Sequence, residues 1–317
     1  MRFFLSVLLS LSCFAAHGWP TKPVRIVVAY PPGGGIDVLA RQLADKLSAA
    51  WGQPVVVENK PGANTIVATD AVAKSPADGH TVLMTTDATF SINPHLYAKL
   101  PYDAQRDFAP VTMLVLLQQL LVAHPSVPFN DLKGLIEAAK AKPGSINYAS
   151  YGSGSQPHLS GEMLKNKAGI DLVHVPYKGI SLAVPAVMAG EVQLTFAGIA
   201  TSMPQLKAGR IKALAIGGAA RSPLLPNVPT FAELGFPEVE THAWFGLFLP
   251  AGSPKEAVAR IYQDTRKVLG ESDFRQKQLV EKGYEVVGSP PDEFVNYLKK
   301  DSESRARAVK ISGAKAE

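Results

Sequence analysis

Short apolar runs of strand length alternate with amphipathic stretches of helical period along most of this chain, and that alternation leaves few folds open. Residues 24–29 (VRIVVA), 54–57 and 81–85 read as strands, with helices over 37–51 and 64–74. This βαβαβ order implies a parallel sheet covered by helices on both faces. Residues 113–122 form a long apolar run, read as a connecting strand. The alternation then restarts, with helices over 132–141, 156–167 and 181–189 and strands over 146–149, 172–175, 192–196 and 211–216. A Pro-rich loop follows over 223–237, then a strand over 244–249 that can return the chain to the first unit. Residues 254–269, 272–282 and 291–309 read as helices. Two α/β units joined by two crossing strands leave a cleft between them. In such sheets a ligand sits at the carboxyl ends of the strands, beside helix N-termini.

A chain of 317 residues suits two lobes, and 46% hydrophobic with 19% charged residues describes a core-forming globular protein. No apolar run reaches the roughly 18 residues that a membrane span needs. The formal charge is +5, from 32 basic and 27 acidic residues. It is spread without a Lys/Arg block or a basic-aromatic RNA motif, so no nucleic-acid partner is expected. Residues 1–18 read as a secretory signal. Arg2 supplies the charge, 3–14 are apolar, and Ala16-His17-Gly18 offers a small-x-small cleavage site before Trp19. Pro20 and Pro23 argue against the alternative, a buried N-terminal helix. Cys13 is the one cysteine and lies within the signal. The exported protein would then carry no thiol for disulfide, redox or nucleophilic chemistry. A lipid anchor on Cys13 is the rival, weakened by Ser10 where leucine is expected. The expected location is the periplasm.

Two turns carry the strongest local signals. Tyr30-Pro-Pro-Gly-Gly-Gly-Ile-Asp37 follows a strand and opens a helix. Gly33, Gly34 and Gly35 let the backbone turn sharply and expose N–H groups, joined by Ile36 and Asp37, where partial positive charge suits a carboxylate or phosphate. A plain tight turn accounts for the same residues. Val38 stands where a dinucleotide fingerprint needs its third glycine, and no Gly-Lys-Ser/Thr follows for a P-loop. Tyr151-Gly-Ser-Gly-Ser-Gln-Pro-His158 repeats the arrangement in the second unit. Ser153, Gly154 and Ser155 offer hydroxyl and backbone donors, and His158 closes the turn. An N-cap loop with Ser155 as the cap is the plainer reading, and capping can coexist with anion binding. Thr86, Asp87 and Thr89 follow the third strand and could reach the far end of a ligand; an ordinary loop also explains them. No G-x-S-x-G elbow surrounds Ser153 or Ser155. His158 and Glu162 share a helix face, but no third metal ligand stands nearby, so neither metal nor cofactor is expected and no enzyme chemistry is assembled. His174 and His242 read as partly buried strand residues, and Met188 as core.

Eight segments in order resemble the substrate-binding receptors of tripartite tricarboxylate transporters, the Bug family. They are YPPGGGIDVLAR (30–41), GQPVVVENKPGA (52–63), ADGHTVL (77–83), INPHLY (92–97), LPYDAQRDFAPV (100–111), HVPYKG (174–179), VPTFAELG (228–235) and WFGLFLP (244–250). The resemblance runs from about Trp19 to the C-terminus. It implies a two-lobed periplasmic-binding-protein fold, type II-like, that closes on an organic acid: a di- or tricarboxylate, an aromatic acid or an amino acid. The implied division is a signal over 1–18, a first lobe over 19–118 and 248–317, and a second lobe over 119–247. It further implies that the glycine turn (33–37) and the serine turn (153–155) hold one carboxylate, and it nominates the 86–89 loop, Tyr177 and the loop after Phe196, including Gly198. The implied partners are the acid and either membrane transporter subunits or a signalling protein; a monomer is expected. Two segments depart from the family. Ala197-Gly198-Ile199 stand where many members carry an acidic residue and Asn, and Asn64-Thr65 stand where P-G-A-G-G is frequent. Both departures bear on the distal half of the ligand.

Overall fold

The computed structural model describes residues 18–218, 220–239 and 241–313. The signal read over 1–18 therefore lies outside the described residues except for Gly18, and so does Cys13. In chain order the elements are β1 (Val24–Val28), α1 (Gly35–Trp51), β2 (Val55–Asn59), α2 (Ile66–Ala73), β3 (Thr81–Thr86), a π-helical turn (Ala88–Ile92) and α3 (Asn93–Leu96). They continue with β4 (Phe108–Ala123), α4 (Leu132–Ala141), β5 (Asn147–Ser150), α5 (Gln156–Ala168), β6 (Val173–Pro176), α6 (Ile180–Met188), β7 (Leu194–Gly198), α7 (Ile199–Lys207) and β8 (Lys212–Ile216). β9 (His242–Pro250), α8 (Lys255–Gly270), α9 (Ser272–Phe274), β10 (Tyr284–Val286) and α10 (Pro291–Ser312) complete the fold.

The strands form two sheets that share β4. The first runs β2-β1-β3-β9-β4-β10, with β1 parallel to β2 and β3 and the other pairs antiparallel. The second runs β8-β4-β7-β5-β6, with β5 parallel to β6 and β7 and both β4 pairs antiparallel. β4 pairs with β9 from Phe108 to Gln118 and with β7 from Gln119 to Ala123, so one strand passes from one lobe to the other. The chain returns through β9, whose His242 already pairs with Gln118. Each sheet is covered on both faces, which explains the unbroken apolar strands. Val24, Ile26 and Val28 of β1 face one core beneath α1 and α8, while Val27 faces a second core with Leu83, Phe248 and Phe294. In the second lobe Leu121 and Ala123 face one core, Leu120 and Val122 the other.

α1 shows how one stripe docks a helix. Ile36, Leu39, Ala40, Leu43, Ala44 and Leu47 recur at the i, i+3, i+4 spacing and are buried. Each fully buried leucine contributes about 1.5–3 kcal/mol. Gly52, left-handed at φ 62°, ends the helix with its N–H on the Ser48 carbonyl.

Several elements differ from the sequence expectation. β4 extends beyond 113–122 because β9 and β10 supply partners for its first half. The helix expected over 272–282 breaks into α9, a π-helical turn (Arg275–Leu279) and a 3₁₀ turn (Val280–Lys282), stopped by left-handed Gly283 at φ 76°. The 86–89 loop is largely helical. α7 and the three-residue β10 carried no strong sequence signal.

The lobes touch beyond the crossing strands. Ile92, Leu159 and Val309 pack together, joining the first lobe to α5. Gly154 lies beneath Leu96, and a Cβ there would collide with that side chain; Gly283 meets Ile199 in the same way.

Candidate functional site

The β1-to-α1 turn is built so that its glycines face outward. Gly33 takes φ 86°, which favours glycine. Gly34 is the extended N-cap of α1, with no side-chain cap, leaving helix-start N–H groups for an external acceptor. The carboxylate of Asp37 ties the turn from behind. It accepts from the Gly33 N–H at 2.9 Å, from Arg41 Nη2 at 2.9 Å and from Asn59 Nδ2 at 2.9 Å. Burial alone would raise the Asp37 pKa, but these donors outweigh it and hold the carboxyl below its ordinary range. Gly33 and Asp37 are therefore occupied with each other and are not among the residues lining the cleft. A Cβ on Gly34 would have room, 3.8 Å from Ile180 of the other lobe; on Gly35 it would collide with the Tyr284 hydroxyl.

Between the lobes lies a narrow cavity. Tyr30, Pro31, Gly34, Gly35, Ile36 and Thr86 line it from the first lobe, with Leu117, Ala243, Phe245 and Tyr284 behind them. Gln119, Tyr151, Ile180, Ser181, Gly198, Ala200 and Thr201 line it from the second. Three helix starts thus converge here: α1, α6 after Gly179, and α7 after Gly198. None has a side-chain cap. Among the described residues no Asp, Glu, Lys, Arg or His lines it. The polar side chains pair with one another: Tyr30 Oη with Thr86 Oγ1 at 2.9 Å, and Gln119 Nε2 donating to Tyr151 Oη at 3.1 Å. The two tyrosine rings meet edge-on at 6.5 Å across the cleft. Burial raises the pKa of Tyr30 and Tyr151 and pushes Tyr284 up to about 12, so all three phenols stay neutral hydrogen-bond donors at pH 7. An arrangement with hydroxyls, helix-start N–H groups and no formal charge can hold an anion without an ion pair.

The serine turn is folded in on itself. Ser155 Oγ donates to the Gly152 carbonyl at 2.6 Å, and the Gly154 N–H donates to His158 Nδ1 at 2.9 Å. His158 is buried and stacked on His174 at 3.9 Å, whose pKa falls to about 3, first through burial and then through His158 and Lys165. Ser153, Gly154, Ser155 and His158 do not line this cavity; the Ser155 hydroxyl and the Gly154 N–H are bonded within the turn, while the α6 and α7 starts lie on the cavity.

In the third loop only Thr86 reaches the cavity. Thr89 Oγ1 donates to Thr65 Oγ1 at 2.7 Å and is buried. Asp87 is buried with Arg305, whose Nη2 lies 3.6 Å from its carboxylate and donates to the His242 carbonyl at 2.7 Å. Burial pushes the Asp87 pKa up to about 7, with Arg305 lowering it and Asp301 raising it. Neither Asp87 nor Thr89 faces a ligand space. Tyr177 lies in a neighbouring depression at the rim, with Lys178, Gly152 and residues 61–65. There Ala63, Asn64 and Thr65 take φ of 44°, 45° and 78°. Asn93 holds them, accepting from Asn64 Nδ2 at 2.8 Å and donating to the Asn64 carbonyl at 2.8 Å. Left-handed backbone is why glycines suit this segment. The other departure is on the cavity wall: a Cβ on Gly198 would meet nothing within 4 Å.

Of the sequence candidates, Gly34, Gly35, Ile36, Thr86 and Gly198 come together at the cavity. Tyr30 and Tyr151 head the two turns but were not singled out. Ser181 and Thr201 follow Gly179 and Gly198, a glycine-before-helix signal like that of α1. Leu117, Phe245 and Tyr284 had no local signal, because only strand pairing brings them there.

Comparison with known proteins agrees with this architecture. The family described as tripartite tricarboxylate transporter family receptor matches residues 39–313. The protein BugT of Bordetella pertussis is 33% identical over 302 residues, covering 95% of this chain and 92% of that protein. The structure of R. palustris Rpa4515 with adipate superposes with a TM-score of 0.90 at 34% identity, covering 94% of this chain and 99% of that one. MatC (Rpa3494) from Rhodopseudomonas palustris with bound malate gives 0.86 at 30% identity, covering 92% and 100%. The two-lobed fold is thus that of the periplasmic binding proteins, and this chain belongs to the tripartite tricarboxylate transporter receptor family, which includes the Bug proteins.

Proposed function

We propose that this chain is a periplasmic receptor that captures a small organic carboxylate between its lobes, does no chemistry on it, and delivers it to membrane transporter subunits. The observation that carries the reading is the convergence of three uncapped helix starts on a cavity without charged side chains. Relatives bound to adipate and malate support an acid as the ligand. The signal read over 1–18 supports export. We place the lobe boundaries where strand pairing changes partner, at Gln118/Gln119 on β4 and just before His242 on β9. Closure about these two crossings would complete the donor set and exclude water.

Burying a carboxylate costs several kcal/mol unless its oxygens are satisfied. N–H groups from helix starts and phenol hydroxyls can meet that cost with charge-assisted hydrogen bonds. A micromolar dissociation constant corresponds to about −8 kcal/mol. The test is thermal stability against a panel of acids running from lactate, succinate, citrate and adipate to benzoate, terephthalate, aspartate and nicotinate. An acid at about a hundredfold its dissociation constant adds about 2.7 kcal/mol, a shift of a few degrees. The corresponding amide should give none. Equal shifts with acid and amide would contradict carboxylate capture.

A further inference from the structure

Resting on that reading, we propose that the preferred acid carries one carboxylate on an apolar body, and that the cavity disfavours the dicarboxylate of the same length. The cavity has two unlike walls. On one, the hydroxyl and amide groups of Tyr30, Thr86, Tyr151 and Gln119 already hydrogen-bond in pairs. The other is the inner surface of the first-lobe sheet. There Leu117 pairs across the sheet with Ala243 on one side and Tyr284 on the other, and the Phe245 ring meets that of Tyr284 at 5.9 Å. Leu117, Ala243 and Phe245 belong to the first-lobe core, so this wall continues a hydrophobic interior into the ligand space.

In this proposal the helix starts take the one carboxylate. A second carboxylate laid on the apolar wall would be buried with no Lys, Arg or His among the described lining residues to pair with it, a strongly unfavourable placement. An alkyl chain or ring there would displace water from apolar surface. Gly198 gives that body room. It pairs with Gln119, two residues along β4 from Leu117 and on the same side of the strand, and a Cβ at 198 would meet nothing within 4 Å.

The test is isothermal titration of the exported protein with two matched pairs, hexanoate against adipate and benzoate against terephthalate. In the pair that binds, the monoacid should be tighter by at least about tenfold. Gly198→Asn, checked for folding by circular dichroism, puts an amide into the open space and should shrink that ratio, mainly by weakening the monoacid. A diacid binding as tightly as its monoacid would overturn the proposal and leave the receptor reading intact. So would failure of all four while a hydroxylated or tricarboxylic acid binds. If no acid of any kind binds, the receptor reading fails, and this inference with it.

Discussion

The two glycine-rich turns, Gly33–Asp37 in one lobe and Gly152–His158 in the other, look alike in sequence and do different work. Both follow a strand, both open a helix, and both place glycine where φ is positive. At the first, the internal acceptor is Asp37, which takes the Gly33 N–H and leaves Gly34, Gly35 and Ile36 on the cavity. At the second, Gly152 and His158 take the Ser155 hydroxyl and the Gly154 N–H, and the turn packs under Leu96 of the opposite lobe. Composition says a turn can donate; where its own acceptors sit decides whether it still has anything to give. On the proposed function the first turn serves the ligand, while the second packs against Leu96 of the other lobe.

The largest expected effect comes from a side chain placed on the first turn. Gly34→Glu has room to fold, since a Cβ there is 3.8 Å from Ile180, but it sets a carboxylate among the helix-start donors. Acid binding measured by calorimetry should weaken by about a hundredfold or more, roughly 3 kcal/mol, with the melting temperature of the free protein little changed. Unaltered binding would mean that the first turn does not hold the acid.

Acid pH should separate the turns next. His174, beneath the second turn, has its pKa lowered to about 3, so the folded protein holds it neutral while the unfolded chain protonates near its ordinary value. Stability from this group is present above pH ~6.5 and is lost as pH falls toward 3. With partial exposure discounted, this amounts to about 3 kcal/mol. Asp37 behaves differently: its depressed pKa keeps the first turn's tie intact until pH drops below the ordinary carboxylate range. Urea titrations of the wild type and His174→Gln across this window should converge as pH falls; parallel curves would contradict the assignment.

Gly154→Ala should cost about 1–3 kcal/mol of stability, because φ is 75° and the added Cβ meets Leu96. Leu96→Ala in the same protein should recover part of that loss in chemical denaturation, and no recovery would mean the contact is not the cause. The smallest effect separates binding from folding most cleanly. Ser155→Ala removes a hydrogen bond to the Gly152 carbonyl and should lower stability by about 1 kcal/mol while leaving the dissociation constant for the acid within about twofold. A weakened affinity without loss of stability would restore this turn as a ligand clamp.

Most of the architecture was legible because both periodicities are strongly written: α1 repeats its apolar stripe over about three turns, and β1 is apolar except at Arg25. α7 was not legible, since only Ile199 and Ser202 of it are buried and it carries no apolar stripe. The broken segment over 272–282 ends at left-handed Gly283, which lies against Ile199 of the other lobe, a neighbour far away in the chain. At the site, the glycines of the first turn were readable from sequence. At the second turn the sequence shows the donors, but not that the Ser155 hydroxyl and the Gly154 N–H bond back to Gly152 and His158. Leu117, Phe245 and Tyr284 come from three strands far apart in the chain, and only β4 pairing with β9 and β10 makes them one wall.

Amide-resolved NMR during titration with a bound acid shows directly which turn holds it. Large shifts are expected for the Gly34, Gly35 and Ile36 amides at the first turn, with the Gly154 amide, already bonded to His158, moving little. Large shifts at Gly154 and Ser155 with a quiet first turn would contradict that placement.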